Sequence, residues 1–118
     1  ISSVVFKHQK KVMIDMINHH DPINQWSKYK KLGIDFICMH TAHDDVVSGI
    51  DFVDDLKKFH EFHGGNHLSL AGGINPQKIL KVKSFQPEIL VVGSYITRAN
   101  NPKKSVEAIR KSINEISV

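Results

Sequence analysis

The sequence has one cysteine and no long apolar run. Cys38 is the single thiol, so no disulfide can form within the chain, and its apolar surroundings predict a buried, unreactive side chain. No run approaches the ~20 apolar residues of a membrane-spanning helix, and no secretory signal pattern is present. These absences argue against disulfide-rich and membrane proteins, and we expect a cytoplasmic protein with no membrane partner.

The chain has a net positive charge, and its basic residues are not concentrated in one segment. The net charge of +4 and the pI of about 9.2 invite a nucleic-acid interpretation. However, lysine pairs such as Lys30-Lys31 and Lys57-Lys58 are spread along predicted helices and are not gathered into one cluster with aromatic residues. We therefore expect no nucleic-acid partner, and the positive charge would instead suit a small phosphorylated substrate.

Eight histidines raise the question of a zinc site. His60 and His63 are three residues apart near a predicted helix end, but no cysteine or third ligand has a matching spacing. We predict no metal ligands among these residues. The histidines expected at the surface or in loops are His19, His20, His60, His63 and His67.

Apolar runs alternate with helical patterns along the chain. Strands are predicted at residues 12–17, 34–40, 68–71 and 88–93. Helices are predicted over the first ten residues, after Asp21-Pro22, around residues 52–63, at residues 76–83 and at residues 103–116. This alternation is typical of an α/β fold with parallel strands, and residues 1–118 are expected to form one domain.

Polar residues occur where the predicted strands end. In parallel α/β folds the ligand binds beyond the carboxyl ends of the strands. Asp15 interrupts an apolar run, where a carboxylate is costly unless it is paired, and His40 can carry a proton near neutral pH. Either residue could instead be structural, but their shared position favours a functional site.

Two neighbouring strand ends also contain glycine. Gly72-Gly73 precede Asn75-Pro76, a helix start that leaves backbone N–H groups available to an anion such as phosphate. The alternative is a tight turn that requires positive φ. Gly93-Ser94 end the next strand, and β/α barrels commonly bind phosphate between the last two strand loops. We therefore predict a phosphate site formed by Gly72, Gly73, Gly93 and Ser94.

Four segments, in order, resemble 3-hexulose-6-phosphate synthase, a family of the orotidine-5′-phosphate decarboxylase superfamily. They are residues 12–17, 35–41, 70–74 and 89–97. The resemblance implies strands five to eight of a (β/α)₈ barrel, so the chain is interpreted as the C-terminal half-barrel fragment of a longer chain. The Asp-x-Lys-x-x-Asp motif of the family's third strand is absent from these residues.

The resemblance also implies a reaction and roles for individual residues. The reaction is an aldehyde-lyase-type aldol condensation of formaldehyde with D-ribulose 5-phosphate, giving 3-hexulose 6-phosphate through a Mg²⁺-stabilised enediolate. The Mg²⁺ ligands are expected in the missing N-terminal half. Asp15 matches the acid that contacts substrate hydroxyls, and His40 matches the histidine that stabilises the enediolate and moves protons. Gly73, Gly93 and Ser94 match the positions whose backbone amides hold the phosphate.

Ala71 and His43 bear on substrate choice. His43 occupies a position that is usually apolar in the synthases and arginine in the related 3-keto-L-gulonate-6-phosphate decarboxylase. Ala71 supplies no cation for the carboxylate of a keto-acid substrate, which favours the synthase and leaves the decarboxylase as an alternative. A second alternative is a phosphate-binding half-barrel without catalysis.

A half-barrel leaves two sheet edges and an open interior. The side chains expected to point inward are those of Met13, Ile37 and Leu90 or their neighbours. We therefore expect the chain to form a homodimer or to pair with the N-terminal half, and to lack activity by itself.

Overall fold

The computed structural model describes residues 2–17, 21–41 and 53–115. Four strands alternate with helices: β1 Met13–Asp15, β2 Phe36–His40, β3 Leu68–Ala71 and β4 Ile89–Val91. The helices are α1 Ser2–Lys7, α2 Pro22–Lys31, α3 Val53–His63, α4 Pro76–Val82, α5 Ser94–Thr97 and α6 Pro102–Asn114, with a 3₁₀ turn at Lys83–Phe85. The predicted order of strands and helices is therefore confirmed, except for α5, which the sequence did not reveal.

The strands form one parallel sheet in the order β1-β2-β3-β4. The register places Asp15 beside Cys38 and His40 beside Ala71, and β4 continues it with Val91 beside Ala71. All four carboxyl ends therefore meet at one edge of the sheet, as the predicted parallel α/β fold requires.

Three strands are shorter than the apolar runs that predicted them. Ile34 and Val92 lie outside the strands yet pack against the core, and Met16 is buried just after β1. Apolar residues indicate that a segment is buried, not that it forms hydrogen bonds with a neighbouring strand. An apolar run can therefore extend past the residues that pair in the sheet.

One face of the sheet carries the hydrophobic core. Because side chains alternate between faces along a strand, Ile37 in β2 and Leu70 in β3 share the face that packs against the helices, and both are 0% exposed. Leu90 packs against the same core. The expectation that Ile37 and Leu90 point into the barrel interior is therefore wrong. The fully buried helix residues on this side are Trp26, Leu56, Phe59, Ile79 and Val82.

The opposite face of the sheet is open at both edges. Met13 in β1 is 40% exposed and Val91 in β4 is 45% exposed, whereas Cys38 and Ser69 in the central strands are buried. Met13 lies on this face, as predicted. The open face also carries Asp15 and His40, since each is an even number of residues from Met13 or Cys38 along its strand.

Asparagine or aspartate caps fix where three helices begin. Asp21, Asn75 and Asn101 each accept a hydrogen bond from a backbone N–H three residues later, and each precedes a proline at the first helical position. For α4 this bond joins Asn75 Oδ1 to Lys78 N at 2.8 Å. The cap therefore sets the helix start directly after the glycine turn.

Three residues that helical spacing would place on buried helix faces are exposed. From the sequence, Val4 of α1, Lys30 of α2 and Ile113 of α6 are predicted on those faces. Val4 is instead 59% exposed and Ile113 49% exposed, and Lys30 is exposed while Trp26 one turn earlier is buried. The predicted loop beyond Thr41 lies outside the described residues. Within the described residues, no helix is long and apolar enough to cross a membrane.

Candidate active site

A histidine and a carboxylate meet at the ends of β1 and β2. The Nδ1 atom of His40 lies 3.0 Å from Oδ2 and 3.2 Å from Oδ1 of Asp15. Asp15 Oδ1 also accepts a hydrogen bond from the backbone N–H of Ile17 at 3.0 Å. With the carboxylate ionised, Nδ1 carries the proton and the Nε2 lone pair of the neutral imidazole is left to act on a ligand. Both side chains remain accessible, at 30% for His40 and 52% for Asp15.

Most of the residues predicted to form the site line one cavity. Its volume is about 420 Å³, within the usual range for small-molecule sites. The lining residues are His40, Thr41, Ala71, Gly72, Gly73, Ile74, Val91, Gly93 and Ser94. Asp15 does not line the cavity but reaches it through His40, and His43 lies outside the described residues. The cavity therefore brings the histidine and both glycine-containing strand ends together.

The Gly72-Gly73 turn needs glycine for conformation and, at Gly72, also for space. The φ angles are +92° at Gly72 and +64° at Gly73, in the left-handed region that favours glycine. A Cβ atom on Gly72 would lie 2.1 Å from the carbonyl oxygen of Thr41. The backbone after β2 thus approaches the turn after β3 closely, which closes one wall of the cavity.

The second glycine-containing strand end presents free backbone amides. Gly93 and Ser94 follow β4 and open α5, in which Ile96 N and Thr97 N donate to Gly93 O. Within the described parts of the chain, no hydrogen bond uses the amides of Gly73, Gly93 or Ser94 as donors. All three residues line the cavity, so their N–H groups are available to a bound anion.

Two further residues belong to this region and were missed by sequence reasoning. Thr41 is buried at the cavity wall, and its Oγ1 has no hydrogen-bond partner among the described residues. Lys78 in α4 donates from Nζ to the carbonyl oxygen of Gly72 at 2.6 Å. Thr41 directly follows His40 and could have been found as the next residue at the strand end. Lys78 gave no sequence signal because its relation to Gly72 depends on the turn.

Cys38 lies beneath the site on the same face of the sheet. Burial raises the pKa of its thiol, the charge of Asp15 raises it further, and the Ser69 side chain opposes the shift. The thiol therefore stays protonated and weakly nucleophilic, which agrees with the interpretation of Cys38 as an inert buried side chain.

Two of the histidines expected at the surface are partly buried instead. His60 packs edge-on against Phe85. His63 packs against Phe59, and its Nε2 lies 3.0 Å from the carbonyl oxygen of Ile23. His67 is exposed as expected, whereas His19 and His20 lie outside the described residues. The His60 and His63 rings thus face different partners and do not converge.

The described residues do not bring together enough ligands for a divalent metal ion. Nowhere in residues 2–17, 21–41 and 53–115 do three His, Cys, Asp or Glu side chains come together. Asp15 offers a carboxylate near the cavity, but Mg²⁺ requires several oxygen ligands in octahedral geometry. The donor set described here therefore does not fit a Mg²⁺ site by itself.

Comparison with known proteins supports the family resemblance. No protein family model matches the sequence. The chain is 29% identical over 107 residues to the 3-hexulose-6-phosphate synthase of Staphylococcus haemolyticus, and the match covers 91% of this chain and 51% of that protein. The chain thus spans about half the length of the curated relatives it matches.

Solved structures give the same result for the fold. The 3-hexulose-6-phosphate synthase from Salmonella typhimurium superposes with a TM-score of 0.83 at 26% identity, over 94% of this chain and 53% of that chain. The 3-keto-L-gulonate-6-phosphate decarboxylase from Vibrio cholerae shares the fold, with a TM-score of 0.76 at 23% identity over 96% of this chain and 53% of that one. The resemblance to 3-hexulose-6-phosphate synthase is therefore confirmed in sequence and in fold, over a stretch that amounts to half of a (β/α)₈ barrel.

Proposed function

We propose that this chain is the C-terminal half of a 3-hexulose-6-phosphate synthase. The complete barrel would condense formaldehyde with D-ribulose 5-phosphate to give 3-hexulose 6-phosphate. The observation that carries the proposal is a single cavity lined by His40, which is hydrogen-bonded to Asp15, and by Gly72-Gly73 and Gly93-Ser94. An acid–base group and an anion site within one cavity are what chemistry on a sugar phosphate requires.

The phosphate would bind to backbone amides of the two glycine-containing strand ends. The N–H groups of Gly73, Gly93 and Ser94 are unused within the described residues and border the cavity. Amide hydrogen bonds to an anion are charge-assisted, and they are stronger than bonds between neutral groups. Thr41 also lines the cavity, and its buried hydroxyl has no hydrogen-bond partner among the described residues.

His40 would transfer protons during enediolate formation. Its Nδ1 bond to Asp15 orients the ring and leaves Nε2 outside that bond, in a residue that lines the cavity. Asp15 also stabilises the imidazolium that forms when His40 accepts a proton, because the two groups are in direct contact. The pair therefore acts as a proton acceptor and its orienting carboxylate.

Mg²⁺ belongs to the proposal only through the other half of the barrel. When bound, the metal would stabilise the negative charge of the enediolate. Following the resemblance to the synthases, we propose that its ligands lie in the N-terminal half. That half would then be required for turnover.

The cavity wall favours the synthase over the decarboxylase. The lining residues that the structure describes include no lysine or arginine, and Ala71 contributes only a methyl group. A keto-acid substrate would bury its carboxylate against this wall without a cation, which is unfavourable. Ribulose 5-phosphate has no such carboxylate, and His43 is the residue whose protonation would alter this preference.

Reconstitution with an N-terminal half tests the proposal. The chain is mixed with the N-terminal half-barrel of the S. haemolyticus synthase, and formaldehyde-dependent consumption of ribulose 5-phosphate is measured. We expect activity only in the mixture. His40→Asn should lower kcat by about 10²-fold or more, the usual contribution of an acid–base group, with KM nearly unchanged. His8→Asn, at an exposed turn outside the cavity, is the matched control.

The alternatives give different results in the same assay. Faster CO₂ release from the keto-acid than fixation of formaldehyde would favour the decarboxylase. Phosphate binding without turnover in any mixture would favour a non-catalytic half-barrel. Wild-type turnover in the His40→Asn variant would contradict the role given to His40.

A further inference from the structure

A lysine outside the cavity contacts the turn that borders it. Lys78 lies in the first turn of α4 and is partly buried, and its Nζ donates a 2.6 Å hydrogen bond to Gly72 O. The backbone N–H of the same residue donates to the Asn75 cap at 2.8 Å. Lys78 is therefore held at its backbone while its ammonium group reaches back over the turn.

The carbonyl that Lys78 contacts belongs to the same peptide group as the amide of Gly73. In that group the C=O of Gly72 and the N–H of Gly73 point in opposite directions. A cation bound to the oxygen therefore leaves the N–H directed away from itself. Gly73 lines the cavity, and its N–H makes no hydrogen bond among the described residues.

We propose that Lys78 is a positioning residue for the anion site: its ammonium group fixes and polarises the Gly72–Gly73 peptide so that Gly73 N–H can donate to the substrate phosphate. This inference rests on the proposed phosphate site and adds to it a residue that does not touch the ligand. Lys78 is six residues from Gly72 and contributes no atom to the cavity wall.

Two physical effects give Lys78 this role. Both glycines have positive φ and no side chain to restrict them, so the peptide between them needs an external contact to hold one orientation. A charge-assisted bond to the carbonyl also withdraws electron density from the peptide and strengthens the bond made by its N–H.

Amide resonances of the ¹⁵N-labelled chain, titrated with inorganic phosphate and then with ribulose 5-phosphate, test the inference. In Lys78→Met, phosphate should bind about tenfold more weakly, a coupling of ordinary size for residues in one hydrogen-bond network. The shift of the Gly73 amide should shrink more than those of Gly93 and Ser94. Lys78→Arg, which retains charge and donor, should restore most of the affinity.

Lys81→Met is the matched control, because it removes the same charge from an exposed position on the same helix. It should leave the phosphate affinity unchanged, and ribulose without phosphate should bind all variants equally. Far-UV circular dichroism identifies any variant that has lost its fold, and Lys78→Gln then replaces Lys78→Met as the neutral variant.

The outcomes separate the two proposals. Equal phosphate affinity in the wild type and the neutral variant, with an unchanged Gly73 shift, would overturn the role of Lys78 and leave the phosphate site standing. Equal weakening by Lys78→Met and Lys81→Met would reduce the effect to general charge and also overturn it. If phosphate shifts none of the three amides in the wild type, both proposals fail.

Discussion

Replacing Gly72 by alanine tests how the turn after β3 is built against the end of β2. The new Cβ would lie 2.1 Å from the carbonyl oxygen of Thr41 and 2.9 Å from its carbonyl carbon and nitrogen. These atoms are backbone, and Thr41 N is itself hydrogen-bonded to Ala71 O at 3.1 Å. The methyl group therefore cannot be accommodated by a rotamer change, and the two strand ends must separate.

The size of the effect follows from two contributions. An alanine at positive φ costs about 1–2 kcal/mol, and forcing a methyl group into packed structure costs a further ~1–3 kcal/mol. Gly33 isolates the first contribution, because its φ is +84° and no atom lies within 4 Å of an added Cβ. Gly72→Ala should therefore lower the unfolding free energy by about 2–5 kcal/mol and Gly33→Ala by about 1–2 kcal/mol.

Urea unfolding of the two variants measures this difference. With a slope of about 2 kcal/mol per M, a difference of about 2 kcal/mol separates the midpoints by about 1 M. Gly72→Ala should also weaken phosphate binding, since the displaced turn carries Gly73. Equal midpoints for the two variants would refute the close approach of Thr41 to the turn.

Three other predictions follow from the structure. A Cβ atom added at Gly93 has no atom within 4 Å, so the Gly93→Val variant should fold normally. It should bind ribulose 5-phosphate more weakly and ribulose equally well. Titration calorimetry with both ligands measures this, and an equal loss of affinity for both would contradict the prediction. Burial raises the pKa of Cys38 above its ordinary value of 9.0, so the folded state holds the thiol proton more tightly, and the unfolding free energy should fall as pH rises above that value. Urea unfolding at pH 8 and pH 10, about one pH unit to either side, measures this fall. The fall should be smaller for Cys38→Ala, and an identical fall in both proteins would count against a buried thiol. The open face exposes Met13 and Val91 at the two free edges, so the isolated chain should self-associate; a concentration-independent monomer in sedimentation velocity would contradict this.

The order of elements could be predicted because local signals agree with the fold. Asp21-Pro22 and Asn75-Pro76 mark helix starts through capping geometry that does not depend on tertiary contacts. The four-residue helix Ser94–Thr97 had no such signal, since its preceding residue is Gly93 and no side-chain cap is formed. Strand ends were overestimated because burial continues past the ladder, as at Met16.

The assignment of side chains to sheet faces failed for a different reason. The run around Ile37 is apolar on both sides, so composition does not indicate which residues face the helices. The structure resolves this through register, with Ile37 beside Leu68 and Cys38 beside Ser69. A single polar residue such as Ser69 within the strand was the available sequence signal for the other face.

The candidate site was predictable where its residues occupy strand ends and not where it depends on contacts between loops. Asp15 and His40 are separated by 25 residues, but a parallel sheet places their strand ends side by side, and they are hydrogen-bonded. Lys78 could not be found in this way, because its bond to Gly72 requires both positive φ angles of the turn. Their roles in binding and catalysis remain predictions for the experiments above.

The helix-covered face and the open face of the sheet differ in what they need from a second half-barrel. Its core lies on the helix-covered face, where Ile37, Leu68 and Leu70 are 0% exposed, so the burial that stabilises the sheet is internal to the described residues. The amides proposed to bind phosphate belong to turns that this core holds in place. Asp15 instead stands on the open face with its side chain 52% exposed, where water weakens its interaction with His40. Phosphate affinity should therefore persist in the isolated chain, whereas proton transfer by His40 would require a second half-barrel to cover the open face and exclude water.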